Sequence, residues 1–173
     1  MNEQRPYFLR TPRLGFGEWG EGDVDLALSL WGDPQVMRFI GGPYSREKAQ
    51  KRLAREMGSL ASFGVQYWPI FLLESGPFIG CCGLRPHGDI HALGFHLLPA
   101  FWGRGYAREA AQAAIGYAFT TIGADLLFAG HHPLNTPSKR VLDALGFEYW
   151  RDELYPPTGL MHPSYLLRRP RLA

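Results

Sequence analysis

The sequence predicts an α/β domain built on a mixed β-sheet, and three observations lead to this expectation. Strand-like runs dominate residues 66–98, whereas strands and amphipathic helices alternate from there onward. The 173 residues suffice for one ordinary domain with a sizeable hydrophobic core. The chain contains neither an internal repeat nor a linker long enough to separate two domains, so residues 1–173 are expected to form a single domain.

The first half of the chain is predicted to hold two amphipathic helices between strands. Apolar residues recur at helical spacing behind capping residues, Asp23 or Asp25 for the first helix and Ser45 for the second. The Arg, Lys and Glu side chains of the second helix are expected on its outer face. The predicted strands of this half are Thr11–Trp19, Gln66–Leu73, Phe78–Leu84 and Ile90–Leu98.

The second half contains the strongest helix signal of the sequence. After Gly105, alanines recur at helical spacing along one face, and such small side chains allow a helix to lie close to a sheet. Gly146 is expected to end the last helix, because glycine readily adopts the left-handed conformation found at helix C-termini. The other predicted segments are the strand Leu126–His131, the helix Asn135–Leu145, the strands Phe147–Leu154 and Ser164–Arg169, and the loop Tyr155–Pro163.

Charge and cysteine content argue against a nucleic-acid-binding protein, a disulfide-rich protein, a metal site and a membrane-spanning protein. The 18 Lys and Arg against 16 Asp and Glu give a net charge of +2, too small to predict nucleic acid as the main partner. Cys81 and Cys82 are adjacent and are interpreted as core thiols, so neither a disulfide framework nor a metal site is expected, and the cytoplasm is predicted. The longest segment without charged residues, Met57–Leu73, contains Ser, Gln and Pro, so no membrane span is expected.

A glycine-rich turn between a strand and a helix is the first candidate site. In Trp102-Gly103-Arg104-Gly105-Tyr106-Ala107, two glycines let the backbone come close to a ligand. The helix N-terminus behind them presents unpaired N–H groups, which suit a phosphate or pyrophosphate. Neither the Walker motif nor the dinucleotide fingerprint is present, since Arg108 stands at the third glycine position. An ordinary glycine-rich turn explains the pattern equally well.

The second candidate site is the start of the last helix. Asn135 fits the N-cap, Pro137 the first turn and Ser138 the position one turn along. Capping alone explains these residues, but the amide of Asn135 could also meet an amide-bearing ligand close to Ser138.

Together, the two motifs resemble the GNAT acetyltransferase superfamily, and more closely its RimJ/RimL branch of ribosomal-protein-alanine N-acetyltransferases. The resemblance runs from about Leu9 to Leu167. It implies a mixed, mostly antiparallel central sheet of about six to seven strands flanked by about four helices. The residues that carry it are Trp102–Ala107 with Glu109-Ala110, Asn135 and Ser138 before Leu145-Gly146-Phe147, and the opening Thr11-Pro12-Arg13-Leu14.

The resemblance implies acetyl-CoA as co-substrate. The pantetheine arm would pair with the strand near Leu97 and Leu98, where a backbone N–H would bind the thioester oxygen. Asn135 would hold that arm, and Ser138 would give a proton to the leaving sulfur. The pyrophosphate would lie on the turn that follows Trp102, on the backbone amides of Gly103, Arg104, Gly105, Tyr106 and Ala107.

The general base is left open by the resemblance. Some N-terminal acetyltransferases carry a glutamate five residues before the motif asparagine, where this chain has Gly130. Histidine is a suitable base because its pKa lies near 6.5. His131 is expected to be structural, and the candidate bases are His132, His162 and Glu153, with His96 as a further possibility.

The predicted function is transfer of an acetyl group from acetyl-CoA to a primary amine by direct attack in a ternary complex. A protein N-terminal α-amine is favoured, because its pKa is about 7.7–8.0 against about 10.4 for lysine. A small amine such as an antibiotic or polyamine is the alternative acceptor, and a non-catalytic CoA-binding or ribosome-associated module is the rival class. A homodimer is expected from the general frequency of such assemblies.

Overall fold

The structure, a computed structural model, describes residues 5–74 and 76–170. Its eight strands form one sheet. The strands are β1 (Leu9–Arg10), β2 (Leu14–Phe16), β3 (Tyr67–Leu72), β4 (Phe78–His87), β5 (Ile90–Leu97), β6 (Leu126–Gly130), β7 (Glu148–Tyr155) and β8 (Leu160–Arg168). The helices are α1 (Val24–Trp31), α2 (Pro34–Met37), α3 (Arg46–Phe63), α4 (Tyr106–Tyr117) and α5 (Thr136–Ala144).

The sheet is mixed and mostly antiparallel, as predicted, with the order β1-β2-β3-β4-β5-β6-β8-β7. Helices cover both of its faces. One hydrophobic cluster joins α1, α2 and α3 to the sheet around Trp31, Met37 and Leu53. On the other face, the alanines of α4 and Leu142 of α5 pack against the strands, and Ala110 is fully buried there.

The sheet contains one strand more than the seven strands predicted, because β1 forms a hairpin with β2. The predicted strand Thr11–Trp19 is wrong in part, since the chain reverses before β2 with a hydrogen bond of 2.9 Å from Thr11 N–H to Leu14 O. The predicted loop Tyr155–Pro163 is mostly strand, because β7 and β8 remain paired up to Tyr155 and Leu160. A fifth helix, α2, begins after Asp33, whose side chain accepts hydrogen bonds from two of its amides.

Helix α3 corrects the expectation that its charged side chains all face outward. Ser45 caps it as predicted, accepting a hydrogen bond from Lys48 N–H. Arg52 and Glu56, however, are 4% and 1% exposed. They lie beside the apolar stripe of the helix, and partners on the sheet make their burial possible. In residues 5–74 and 76–170, no helix is both long and apolar enough to cross a membrane.

A cleft opens in the middle of the sheet. β5 and β6 form the one parallel pair among the described strands, and their pairing is confined to His91–Leu127 and Ala92–Phe128. Beyond Ala92, β5 continues along β4, whereas β6 continues along β8. The two strands therefore part toward their C-terminal ends.

Candidate active site

The cleft between β5 and β6 widens into a cavity of about 470 Å³. Asn135 and Ser138, at the start of α5, line it together with the β5 backbone around Phe95. The cavity thus brings the start of α5 and the candidate bases into one space, whereas the glycine-rich turn before α4 lies outside its lining. All four histidine and glutamate candidates for the base also line it: His96, His132, Glu153 and His162.

The end of β5 presents one backbone N–H to the cleft. Leu98 N–H donates to Ile79 O at 2.9 Å, so it points toward β4. Successive N–H groups of a strand point to opposite sides, and the N–H of Leu97 is therefore directed toward the side of β6. Its carbonyl oxygen points the same way and accepts a hydrogen bond of 2.7 Å from Trp102 Nε1. Of the two predicted positions, Leu97 has the N–H that can meet a ligand in the cleft.

The turn before α4 has the geometry of an anion site. Gly103 and Gly105 have φ values of +72° and +78°, in the left-handed region that favours glycine. Among the described residues, no backbone carbonyl accepts from amides 103–108, and the first such bond is Glu109 N–H to Gly105 O at 3.1 Å. These amides and the positive end of the α4 dipole can receive a pyrophosphate.

A carboxylate fastens this turn to the first hairpin. Glu109 accepts hydrogen bonds from Thr11 Oγ1 at 2.6 Å and from Arg13 N–H and Nε at 3.0 and 2.6 Å. Arg13 Nη1 donates in turn to Arg104 O at 2.9 Å, and its guanidinium lies over the Tyr106 ring. Burial raises the pKa of Glu109, but the bonds from Thr11 and Arg13 outweigh it and lower the pKa overall. Glu109 therefore holds the turn in place as an anion.

Asn135 has the predicted capping role. Its Oδ1 accepts a hydrogen bond of 3.2 Å from Ser138 N–H at the start of α5. With Oδ1 occupied by the cap, the Nδ2 group remains available as a donor to a carbonyl oxygen in the cavity. The Ser138 hydroxyl stands one helical turn along, half-buried in the cavity wall.

His132 and His162 lie against each other at the far side of the cavity, with ring centroids 5.3 Å apart. His132 Nδ1 accepts a hydrogen bond of 3.1 Å from Leu134 N–H. His162 Nε2 lies 2.9 Å from Thr158 Oγ1, and its ring lies 4.6 Å from that of Tyr155. Burial lowers the pKa of His162, and the neighbouring His132 and His131 lower it further. His162 is therefore neutral at pH 7.

Three other titratable groups near the cavity are already engaged. Glu153 accepts hydrogen bonds from Arg151 and from Ser164 Oγ. His131 is held between the His132 carbonyl and the Tyr165 hydroxyl. His96 lies 3.3 Å from Trp31 Nε1, and burial, followed by the charges of two arginines, lowers its pKa to about 3.

Both cysteines are buried free thiols on β4, in agreement with their interpretation as core residues. Burial raises the pKa of Cys81 to about 12, so it is no nucleophile at neutral pH. In the part of the chain that the structure describes, no group of three or more His, Cys, Asp or Glu side chains could hold a metal ion.

The floor of the cavity holds residues that no motif of the sequence indicated. Arg52 of α3 and Arg85 of β4 both bind Glu56, and their guanidinium groups lie 5.7 and 4.1 Å from the centroid of the Tyr67 ring of β3. A Cβ at Gly94 would lie 2.3 Å from the Tyr67 hydroxyl, so only glycine lets β5 approach that ring. The only sequence signal that could have found Arg52 and Glu56 is their spacing of four positions beside the apolar stripe of α3.

This geometry, a cleft between two parting strands with an amide-lined turn after β5, agrees with a comparison with known families. Residues 13–148 match the family model of the acetyltransferase (GNAT) domain. The chain belongs to the GNAT acetyltransferases. As the sequence predicted, this GNAT protein is an acyl-CoA-dependent N-acetyltransferase.

Relatives and solved structures support the same family. The N-acetyltransferase p20 of Bacillus licheniformis is 28% identical over 145 residues, which cover 81% of this chain and 82% of the relative. An acetyltransferase structure from Agrobacterium tumefaciens is 27% identical, with a TM-score of 0.81 and 98% of each chain covered. The structure of RimL, a ribosomal alpha-N-protein acetyltransferase, in complex with coenzyme A shares the fold, with a TM-score of 0.78, 15% identity, and 94% and 98% of the chains covered.

Proposed function

We propose that this GNAT protein transfers the acetyl group of acetyl-CoA to a primary amine, with the α-amine of a protein or peptide as the favoured acceptor. The proposal rests on one observation. The backbone of β5, Asn135 and the buried, neutral His162 all line the same cavity. The similarity in fold to RimL, which by its name acetylates a protein α-amine, supports the choice of acceptor.

The donor would occupy the β5 side of the cleft. Its pyrophosphate would lie on amides 103–107, in the turn that Glu109 and Arg13 hold in place. Its pantetheine arm would run along β5, where Asn135 Nδ2 can donate to an amide carbonyl. The N–H of Leu97 would bind the thioester oxygen, which gains negative charge in the transition state.

The reaction needs no covalent enzyme intermediate. The neutral amine nitrogen attacks the thioester carbonyl carbon, the C–N bond forms and the C–S bond breaks. The proton lost by the amine passes to the base and then to solvent, and the sulfur leaves with a proton from the Ser138 hydroxyl, which solvent restores. The products are an N-acetylated amine and the CoA thiol. Proximity of the two bound reactants supplies much of the rate.

His162 suits the role of base better than His132. Because His132 Nδ1 accepts from Leu134 N–H, the neutral ring of His132 carries its proton on Nε2 and has no free lone pair. When His162 donates its Nε2–H to Thr158 Oγ1, its Nδ1 keeps a lone pair for the amine proton. Glu153 is less available, since Arg151 and Ser164 already bind it.

Replacing His162 by glutamine is expected to lower kcat by about 100-fold or more, the usual contribution of a general base.

The pH dependence of the rate also depends on His162. Because its pKa is lowered, the neutral base is dominant above pH 6.5. Wild-type kcat/KM should therefore fall with the protonation of the α-amine below about pH 8, and more steeply once His162 also gains a proton below pH 6.5. The variant should lose that second decline. His91→Gln, a change outside the cavity lining, should keep the wild-type profile, and an unchanged rate and profile for His162→Gln would remove His162 from the mechanism.

Replacing Ser138 by alanine is expected to lower kcat by at most about 100-fold while acetyl-CoA affinity remains nearly intact. The effect is small because a thiolate leaves readily without a proton. Ser29→Ala, which removes an exposed hydroxyl on α1, serves as the matched control. Equal kcat values for Ser138→Ala and the parent would leave Ser138 with a purely structural role in the first turn of α5.

Thiol release from acetyl-CoA with a panel of acceptors tests the proposed function. The panel contains peptides with free N-termini, N-blocked lysine peptides, polyamines and aminoglycosides. We expect the fastest turnover with the peptides that have a free N-terminal α-amine. Turnover of polyamines or aminoglycosides alone would overturn the choice of acceptor, and no turnover with any amine would favour the non-catalytic module.

Three expectations stay predictions. They are the single domain over residues 1–173, the cytoplasmic location and the homodimer. Light scattering of the purified protein tests the last of these, and a monomer at micromolar concentration would contradict it.

A further inference from the structure

Two arginines and one glutamate form a charged cluster at the floor of the cavity. Arg52 Nε donates to Glu56 Oε1 at 2.7 Å, and Arg85 Nη2 donates to the same oxygen. The other oxygen of Glu56 accepts the Tyr67 N–H at 2.9 Å. One carboxylate therefore serves two guanidinium groups, and the cluster carries a net positive charge.

The cluster leaves hydrogen-bonding capacity unused. Arg52 is 4% exposed, and its Nη2 is buried without a hydrogen-bond partner among the described residues. Its guanidinium lies 4.7 Å from the centroid of the Trp31 ring. Arg85 lies 4.1 Å above the Tyr67 ring, and its side chain is 35% exposed. A buried guanidinium nitrogen without a hydrogen-bond partner is costly, and one carboxylate does not balance the charges of two guanidinium groups, so the cluster has the capacity to bind an anion.

No other acidic group in the cavity lining supplies the missing charge. Glu153 is the only carboxylate in that lining, and it is bound by Arg151 and Ser164. Both Arg52 and Arg85 line the same cavity as Asn135 and His162. A ligand that reaches the proposed reaction centre from this side therefore meets a positively charged floor.

We infer that the acceptor amine carries a carboxylate, which binds to Arg52 and Arg85 at the floor of the cavity. The inference rests on the proposed function and deepens it by naming the class of acceptor. A guanidinium presents parallel N–H donors that match the two oxygens of a carboxylate. The carboxylate belongs either to a free amino acid or to an acidic side chain near the N-terminus of a peptide, and both sources share the same recognition chemistry.

Acceptor pairs that differ in the carboxylate test the inference, and kcat/KM is expressed per neutral amine, because a carboxylate next to an amine raises the pKa of that amine. Alanine against alaninamide probes the free amino acid, and a C-terminally amidated Ala-Glu peptide against its Ala-Gln counterpart probes the acidic side chain. The wild-type protein should favour the carboxylate member of one pair by about 10- to 100-fold in kcat/KM, as expected for charge-assisted hydrogen bonds. The pair that shows the preference identifies the source.

The variant Arg85→Gln tests whether the charged cluster causes the preference for the carboxylate member. This variant should bring the ratio between the two members of that pair close to one. Arg55→Gln removes an exposed cation from the same α3 helix and should leave the ratio at its wild-type value. Thermal unfolding verifies that both variants are folded, and the wild-type ratio is a test that needs no variant.

Binding of the same pairs to the complex of the protein with CoA, measured by calorimetry, separates this inference from the proposed function. Tighter binding of the carboxylate member, without turnover of any amine, would overturn the proposed function and support the carboxylate site. Turnover with equal kcat/KM and equal binding for both members of both pairs would overturn the carboxylate site and leave the acetyltransferase in place. A preference that persists in Arg85→Gln would also overturn the site.

Discussion

Replacing Gly105 by valine is expected to weaken acetyl-CoA binding by about 100-fold or more. Gly105 has a φ of +78°, a conformation that a β-branched residue avoids. To relieve that strain, the backbone must rotate and turn its amides away from the pyrophosphate. Loss of two hydrogen bonds to a charged group, each worth about 1.5 kcal/mol, corresponds to that change in affinity.

Gly123→Val is the matched control for this change. Gly123 has a φ of +77° and lies after α4, and a Cβ at that position would meet nothing within 4 Å. The two variants therefore introduce the same backbone strain at opposite ends of the helix region. Calorimetry should show a large loss of affinity for Gly105→Val alone. Equal affinity for the Gly105 variant and the parent would show that the pyrophosphate binds elsewhere.

Replacing Glu56 by glutamine is expected to lower the free energy of unfolding by about 3–5 kcal/mol, the usual cost of breaking a buried ion pair. The change leaves the buried guanidinium of Arg52 without its carboxylate. Glu47→Gln breaks an exposed ion pair with Lys51 on the same helix and should change stability by no more than about 0.5 kcal/mol. Urea unfolding of the two variants and the parent measures both values.

The buried ion pairs of Glu56 also predict how the stability of the protein depends on pH. Burial raises the pKa of Glu56, but the charges of Arg85 and Arg52 and the Tyr67 amide outweigh it and bring the pKa below the ordinary 4.5. A carboxyl whose pKa is lowered by folding stabilises the protein above its unfolded pKa, and that contribution is lost as the pH falls through the folded pKa. The parent should therefore lose stability more steeply than Glu56→Gln below pH 4.5. Parallel curves, or equal stability at pH 7, would contradict the assigned ion pairs.

The features that sequence predicted well are those that neighbouring residues determine. The paired glycines of the turn and the asparagine cap of α5 each depend on a few consecutive positions, and the structure has the local geometry expected of both. The alanine face of α4 was likewise visible as a periodic pattern.

The features that sequence did not predict depend on contacts between distant segments. Glu109 holds Thr11 and Arg13, which lie almost a hundred positions earlier in the chain. Arg52 looked like a surface residue because its helix is otherwise charged, and only the approach of Arg85 on β4 explains its burial with Glu56. Local spacing carries little information about such pairs.

A crystal structure of the protein with CoA would locate the donor directly. We expect the pyrophosphate within hydrogen-bonding distance of amides 103–107 and the pantetheine arm along β5, beside the N–H of Leu97. The sulfur should lie next to Ser138, with the cavity open beyond it toward His162. A CoA molecule whose pyrophosphate lies away from that turn, or whose arm does not enter the cleft between β5 and β6, would contradict the proposed donor site.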